Sequence, residues 1–288
     1  MFGYILVPAT GRDADVRVFR TAAGMAKATR GHVMFLHVRS DVQSAIAAVA
    51  AGDAGGTAAF GDVLQSLEQA AAETAARARE QVVAFCRQEK LAMADSPLAE
   101  RPSATWQLQT GDEAQVIATY SRAADVTVLD RRRVNGTADL HMLQTVLLDS
   151  GRPILIMPDR PLPHIGRRVA IAWKDTPEAA RAVAFALPSL AAAERVIIVS
   201  VEEDARTTDE ACERLRQALI WHNTTTMVRH VRPNGREPAE ALLTAVGAQN
   251  ADLLVMGGYG HSRLREVVFG GVTRHVLQAA DVPLLMAH

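Results

Sequence analysis

The sequence predicts an α/β protein made of two tandem doubly wound domains, each with a five-stranded parallel sheet. Three observations predict it. Short apolar runs alternate with stretches of helical spacing along most of the chain, the pattern of βαβ units joined by right-handed crossovers. The runs themselves are continuous and bounded by turn signals, as in parallel strands covered on both faces. Finally, the order of these segments is stated twice within 288 residues.

The first statement opens with a strand over Tyr4–Pro8, a helix from Asp15 to Thr29 and a strand over His32–Val38. The second opens with Val169–Trp173, Thr176–Leu187 and Arg195–Val201 in the same order. Further along each half a more polar strand leads to a glycine turn: Trp106–Gln109 before Gly111, and Met227–Val231 before Gly235. Helices follow over Glu113–Arg122 and Pro238–Gln249. The closest matches come next, Ala124-Asp125-Val126-Thr127-Val128-Leu129 against Ala251-Asp252-Leu253-Leu254-Val255-Met256. Both halves end on a proline-started apolar strand, Arg152–Met157 and Val282–Ala287. The linker Pro158–Gly166 holds three prolines in nine residues, which argues against regular structure and separates domains at 1–158 and 167–288. Only the first half carries the extra segment 45–90. It consists of an Ala/Gly-rich stretch, Ala45–Ala59, expected as a mobile loop, and a partly solvated helix through Glu68–Lys90.

Composition bounds the function. With 49% hydrophobic and 22% charged residues and a formal net charge of −1, no global field recruits nucleic acid or an anionic membrane. The first residues lack the basic start and long apolar core of a signal peptide, and no apolar run reaches the length of a membrane span. A cytoplasmic location is expected. Cys86 and Cys212 lie in helical patterns and read as small buried hydrophobes. The nine histidines show no metal spacing, and neither a Ser-His-Asp nor a Cys-His constellation nor a G-x-S-x-G elbow is legible. No catalytic residue and no metal ligand is therefore assigned.

One feature carries chemistry: Gly257-Gly258-Tyr259-Gly260 directly after an apolar strand, then Gly270-Gly271-Val272-Thr273 at the opening of the last helix. Glycines past a strand end let backbone N–H groups approach a ligand, and the carboxyl ends of strands are where open α/β sheets bind one. Three readings compete. The glycines can serve only turns and a close helix approach. They can form a nucleotide fingerprint, but the spacing fails both G-x-G-x-x-G and the G-K-[ST] phosphate loop. Or they form a split cradle, with 257–260 as one wall and the N–H groups of the helix opening at 270–273 as the other.

The arrangement G-x2-G-x9-G, followed by a small residue, Val and Thr and ending in a Val-Pro-Leu-Leu strand, resembles the universal stress protein family, here as two tandem copies. The resemblance implies an adenine nucleotide α-hydrolase-like fold and binding of ATP or another adenine nucleotide, with Mg²⁺ carried by the nucleotide, although some members bind none. Carried over, Gly257, Gly260 and Gly270 match the motif, Gly271, Val272 and Thr273 stand where phosphates and ribose are lined, and Met256 and Val201 stand where adenine is contacted. Two departures stand out. Gly271 replaces the hydroxyl-bearing residue that binders favour, and Lys174 stands where the family often has an Asp, with Asp175 one residue later. Lys174 can pair with phosphate or be solvated, while Asp175 and Thr176 can simply cap the next helix. Arg263 remains open as a phosphate contact; His261 and Arg265 read as surface, and His275 as a half-buried structural histidine.

In the first half the same place reads Leu129-Asp130-Arg131-Arg132-Arg133, and the single Gly136 does not rebuild a cradle. That half reads as a degenerate copy whose arginines are solvated or interface-facing. The expectation is a stress-response regulator or sensor binding nucleotide in its second domain, with at most slow ATP hydrolysis and with unidentified protein partners. Ligand binding would order residues 260–270 and so alter a protein-facing surface. The halves are expected to form an internal pseudo-dimer through their last strands, with homodimerisation of the chain also plausible. The rivals are a nucleotide-free interaction module of the same fold and a small-molecule enzyme of the wider α-hydrolase-like group. A missing Ser-Gly-Gly loop after either first strand speaks against the enzyme.

Overall fold

The computed structural model describes residues 2–41, 60–96, 98, 101–131, 137–160, 164–201, 205–222, 225–258 and 271–288. The chain divides into two compact units, Phe2–Val128 and Leu129–His288.

The first unit runs β1 (Tyr4–Pro8), α1 (Asp15–Thr29), β2 (His32–Arg39), α2 (Phe60–Glu89), β3 (Ala92–Met93), β4 (Ser103–Thr110), α3 (Glu113–Ser121) and the start of β5 (Val126–Asp130). Its strands lie in the order β3-β4-β2-β1-β5, and every described ladder is parallel. Phe19 of α1, Phe35 of β2 and Phe85 of α2 meet edge to face, with ring centroids 4.7 to 6.1 Å apart. That geometry suits the ring quadrupoles and locks two helices onto one strand. The helix foreseen through Glu68–Lys90 starts earlier, at Phe60. Its second half buries Ala75, Ala78, Val82, Phe85 and Cys86, while Val63 and Leu67 in its first turns are exposed. The segment 45–59 lies outside the described residues.

The second unit holds α4 (Thr137–Asp149), β6 (Ile154–Met157), β7 (Arg168–Ala172), α5 (Pro177–Ala192), β8 (Arg195–Val201), α6 (Ala205–Ile220), β9 (Thr226–Val231), α7 (Pro238–Ala248), β10 (Leu253–Gly257), α8 (Gly271–Ala279) and β11 (Leu284–Ala287). Strand order is β6-β11-β10-β7-β8-β9. β7 to β11 pair in parallel, whereas β6 joins antiparallel to β11, setting Leu155 opposite Leu285. The strand that closes the first sequence repeat thus sits in the second unit.

Strand register turns the repeat into a position-by-position equivalence. Ala9 N–H donates to Leu36 O at 2.8 Å, and Trp173 N–H donates to Val199 O at 2.9 Å. Asp125 and Asp252, the best match in the two halves, do the same work. The Asp125 carboxylate accepts from the Gly3 and Tyr4 N–H groups at 2.7 and 2.9 Å. Asp252 accepts from those of Gly166, Arg167 and Arg168 at 2.9 to 3.2 Å. Each aspartate satisfies backbone donors where the first strand of its half begins.

One boundary departs from expectation. α5 does not stop at Leu187 but continues through Pro188 to Ala192. Proline costs the bond to the carbonyl of Ala184, but both residues face solvent, where water satisfies the freed oxygen.

Candidate functional site

The candidate residues gather first through register. Val199, Ala172 and Met256 form one row across β8, β7 and β10. Gly257 stands one residue beyond that row and Val201 two beyond, so both mark the carboxyl edge of the sheet. Met256 is buried and Val201 half-buried. Lys174 and Asp175 follow in the exposed turn between β7 and α5. α8 is the crossover from β10 to β11, a connection that stands a helix N-terminus at the carboxyl end of the preceding strand. It opens with Gly271, Val272 and Thr273. Gly260, Arg263 and Gly270, like His261 and Arg265, lie outside the described residues.

Gly257 has a packing reason of its own. A Cβ there would stand 2.5 Å from the Ala179 N and 2.7 Å from the Glu178 C, in the first turn of α5. The helix approaches so closely that no side chain fits. The Thr176 hydroxyl caps this turn by accepting from Ala179 N–H at 3.3 Å, as its position suggested. Gly271 differs, because a Cβ built there meets none of the described residues within 4 Å. The first turn of α8 carries N–H groups without helical acceptors. Asp175 is ion-paired to Arg214 of α6 at 2.8 Å, so it faces α6 rather than capping α5. His275 is half-buried.

Trp173 is the residue that sequence reasoning passed over. Its indole Nε1 is shut off from solvent and has no hydrogen-bond partner among the described residues. A Trp at the end of an apolar run reads as core, and an unmatched donor leaves no mark in a sequence.

The equivalent places in the first half carry different chemistry. Ala9 stands where the second half has Trp173 and Asp130 where it has Gly257, by the strand register of each half. In the loop after β1 the Asp15 carboxylate, only 7% exposed, accepts from Thr10 N–H at 2.6 Å, Gly11 N–H at 3.0 Å and the Thr10 hydroxyl at 2.9 Å. Donors that an anionic ligand would need are thus held by the chain's own anion. Arg131, expected to be solvated or interface-facing, donates to the carbonyl of Ala280, and Arg160 Nε donates to Asp281 O at 2.9 Å. Two guanidinium groups therefore serve the carbonyl end of α8, which has no basic residue in its own last turn. They border a polar depression of about 390 Å³ with Asp159, Gln278 and Asp281. Cys86 and Cys212 are buried, and burial pushes the Cys86 thiol up to about 11. Among the described residues no cluster of three His, Cys, Asp or Glu side chains could hold a metal ion, and no helix is long and apolar enough to cross a membrane.

With this geometry in place, the family model for universal stress proteins matches residues 166–288. Those residues belong to the universal stress protein family. The whole chain has the tandem fold as well. It is similar to a universal stress protein from Archaeoglobus fulgidus DSM 4304 at a TM-score of 0.71 and 16% identity, covering 99% of this chain and 95% of that one. It is also similar to a functionally unknown protein from Pseudomonas aeruginosa PAO1, at a TM-score of 0.58 and 14% identity, covering 99% and 92%. At such identities the likeness concerns fold alone. No curated protein matches the chain. The universal stress protein domain thus spans β7 to β11 and contains every residue of the glycine motif.

Proposed function

We propose that the universal stress protein domain binds ATP or another adenine nucleotide at the carboxyl edge of β7, β8 and β10, and that the chain acts as a stress-response regulator or sensor. The observation that carries this reading is the opening of α8. Its first turn begins at a glycine whose Cβ position meets none of the described residues within 4 Å, on the crossover from a strand that itself ends in glycine. Gly271, Val272 and Thr273 would hold phosphate and ribose with Gly260 and Gly270, while Met256 and Val201 would flank the base. The bound group supplies a polyanion, with Mg²⁺ as its counter-ion, for the helix terminus to neutralise. Lys174 and Arg263 would assist as cations, and Gly257 serves by letting α5 close on the strand end.

Binding would bias the surface around residues 260–270 between two states that a protein partner distinguishes. The antiparallel ladder of β6 with β11 supports the reading of two halves joined through their last strands as a pseudo-dimer. A nucleotide-free interaction module is the second reading. It is favoured by the Asp175–Arg214 pair, which occupies an acidic side chain beside the site.

Calorimetry on protein stripped of co-purified nucleotide separates the two. We expect saturable binding of ATP, ADP or AMP at about one site per chain, because the first half has Asp130 where the second has Gly257 and does not repeat the glycine motif. The absence of heat at millimolar nucleotide would favour the module.

A further inference from the structure

The geometry points to Trp173 as a recognition residue for the nucleoside part of the ligand, its buried indole N–H donating to a neutral acceptor on the base or ribose. This inference rests on the nucleotide-binding reading.

Trp173 follows β7 directly, and its own N–H is fixed on Val199 O at 2.9 Å. The residue is therefore held at the carboxyl edge of the sheet, between β8 and β10. The row Ala172–Met256 places it beside Gly257, the residue without a Cβ. An indole N–H is a donor with no acceptor capacity, and buried Trp N–H groups usually find a partner. Here Nε1 is removed from solvent and none of the described residues accepts from it. A buried donor without a partner is costly, so its persistence calls for a group that accepts from it in another state of the protein. The first half provides a contrast. Ala9 makes the same backbone bond to Leu36 O at 2.8 Å but carries only a methyl. The large donor-bearing ring occurs only in the half that kept its glycines.

The chemistry of the donor selects the part of the ligand. Phosphate is held best by several backbone N–H groups or a cation, which α8 and Lys174 offer. A single neutral N–H on a flat apolar ring suits an uncharged nitrogen or oxygen flanked by apolar surface, as on a nucleoside.

The test compares wild type with Trp173→Phe, using Trp221→Phe at the exposed end of α6 (87% exposed) as control. Calorimetry is run with adenosine, AMP and ATP, and urea denaturation with ligand-free protein. Trp173→Phe is expected to weaken all three ligands by about fivefold to tenfold, the worth of one buried hydrogen bond. The Trp221→Phe control is expected to bind like wild type. The ligand-free urea midpoint should change little, because losing the unpartnered donor offsets the lost ring contacts; a large fall would mark Trp173 as mere packing and overturn the assignment. So would unchanged affinity in Trp173→Phe, or a loss confined to the phosphorylated ligands. Should Trp173→Phe not fold, the double variant Trp106→Phe/Trp221→Phe leaves Trp173 as the sole tryptophan. Its emission should shift as ligand saturates, and constant emission during saturation would refute the contact. If wild type binds no ligand of the series, the nucleotide reading fails and this inference with it.

Discussion

Asp125 and Asp252 show how a single side chain can mark a repeat. Each carboxylate gathers two or three backbone N–H groups at the start of a strand. Replacing Asp252 by Ala should cost about 1–3 kcal/mol, read as a lower urea midpoint with unchanged slope. The glycines divide more sharply. Gly257→Ala drives a Cβ into the backbone of α5 at 2.5 Å; overpacking of that kind costs about 1–3 kcal/mol and should lower thermal stability measurably. Gly271→Ser adds a side chain that meets none of the described residues within 4 Å of its Cβ, at a helix start, so stability should hold within about 0.5 kcal/mol. The added hydroxyl is expected to tighten nucleotide binding, as calorimetry would report. This contrast also limits what glycine spacing conveys. Of the two described ends of the motif, one glycine is accounted for by helix packing and the other stands free, a distinction that no spacing rule encodes. Trp173 was illegible for the same reason, since its meaning lies in a missing partner.

Among elements, those with clean periodicity were foreseen closely. β8 and α1 match their expected bounds residue for residue, because β-branched runs and a spaced apolar stripe state their period openly. α4 and α6 were not delimited, for opposite reasons. α4 buries Met142, Leu143, Val146 and Leu147 on one face, but the exposed Leu148 and the buried Thr145 blur its edges. α6 offers only Ala211, Cys212 and Leu219 as described buried apolar positions, too few to draw a stripe. In α5 the expected end at Leu187 misses the last turn because the solvent-facing Pro188 is tolerated. Pro188→Ala should restore one helical hydrogen bond. The gain is expected at about 1–2 kcal/mol, being the helix penalty of proline less its stiffening of the unfolded chain. A rise in melting temperature checks it.

On the scale of the whole molecule, stability should depend on pH through the first unit. His32 is sandwiched in a network: its Nδ1 meets the Ser103 hydroxyl at 2.8 Å and its Nε2 meets Thr105 Oγ1 at 2.9 Å. Thr105 donates its own proton to Ala94 O, so Nε2 must carry the hydrogen and Nδ1 accepts from Ser103. Tyr4 stacks on the ring at 10°. Burial lowers the His32 pKa below its ordinary 6.5. A group whose folded value is depressed binds more protons when unfolded. Its contribution is complete above pH 6.5 and is lost as acid approaches the lowered folded value. Urea midpoints should therefore fall between neutral and mildly acidic pH, and His32→Gln should flatten that slope.

The antiparallel ladder of β6 on β11 also sets a clock for synthesis. Residues 154–156 leave the ribosome long before residues 284–286, their partners across the ladder. At roughly 5–20 residues per second, the roughly 130 residues between them take on the order of 6–26 seconds to appear. Through that interval Ile154, Leu155 and Ile156 lack the neighbour that later pairs with them, and a nascent chain cut short before Leu284 would never acquire it.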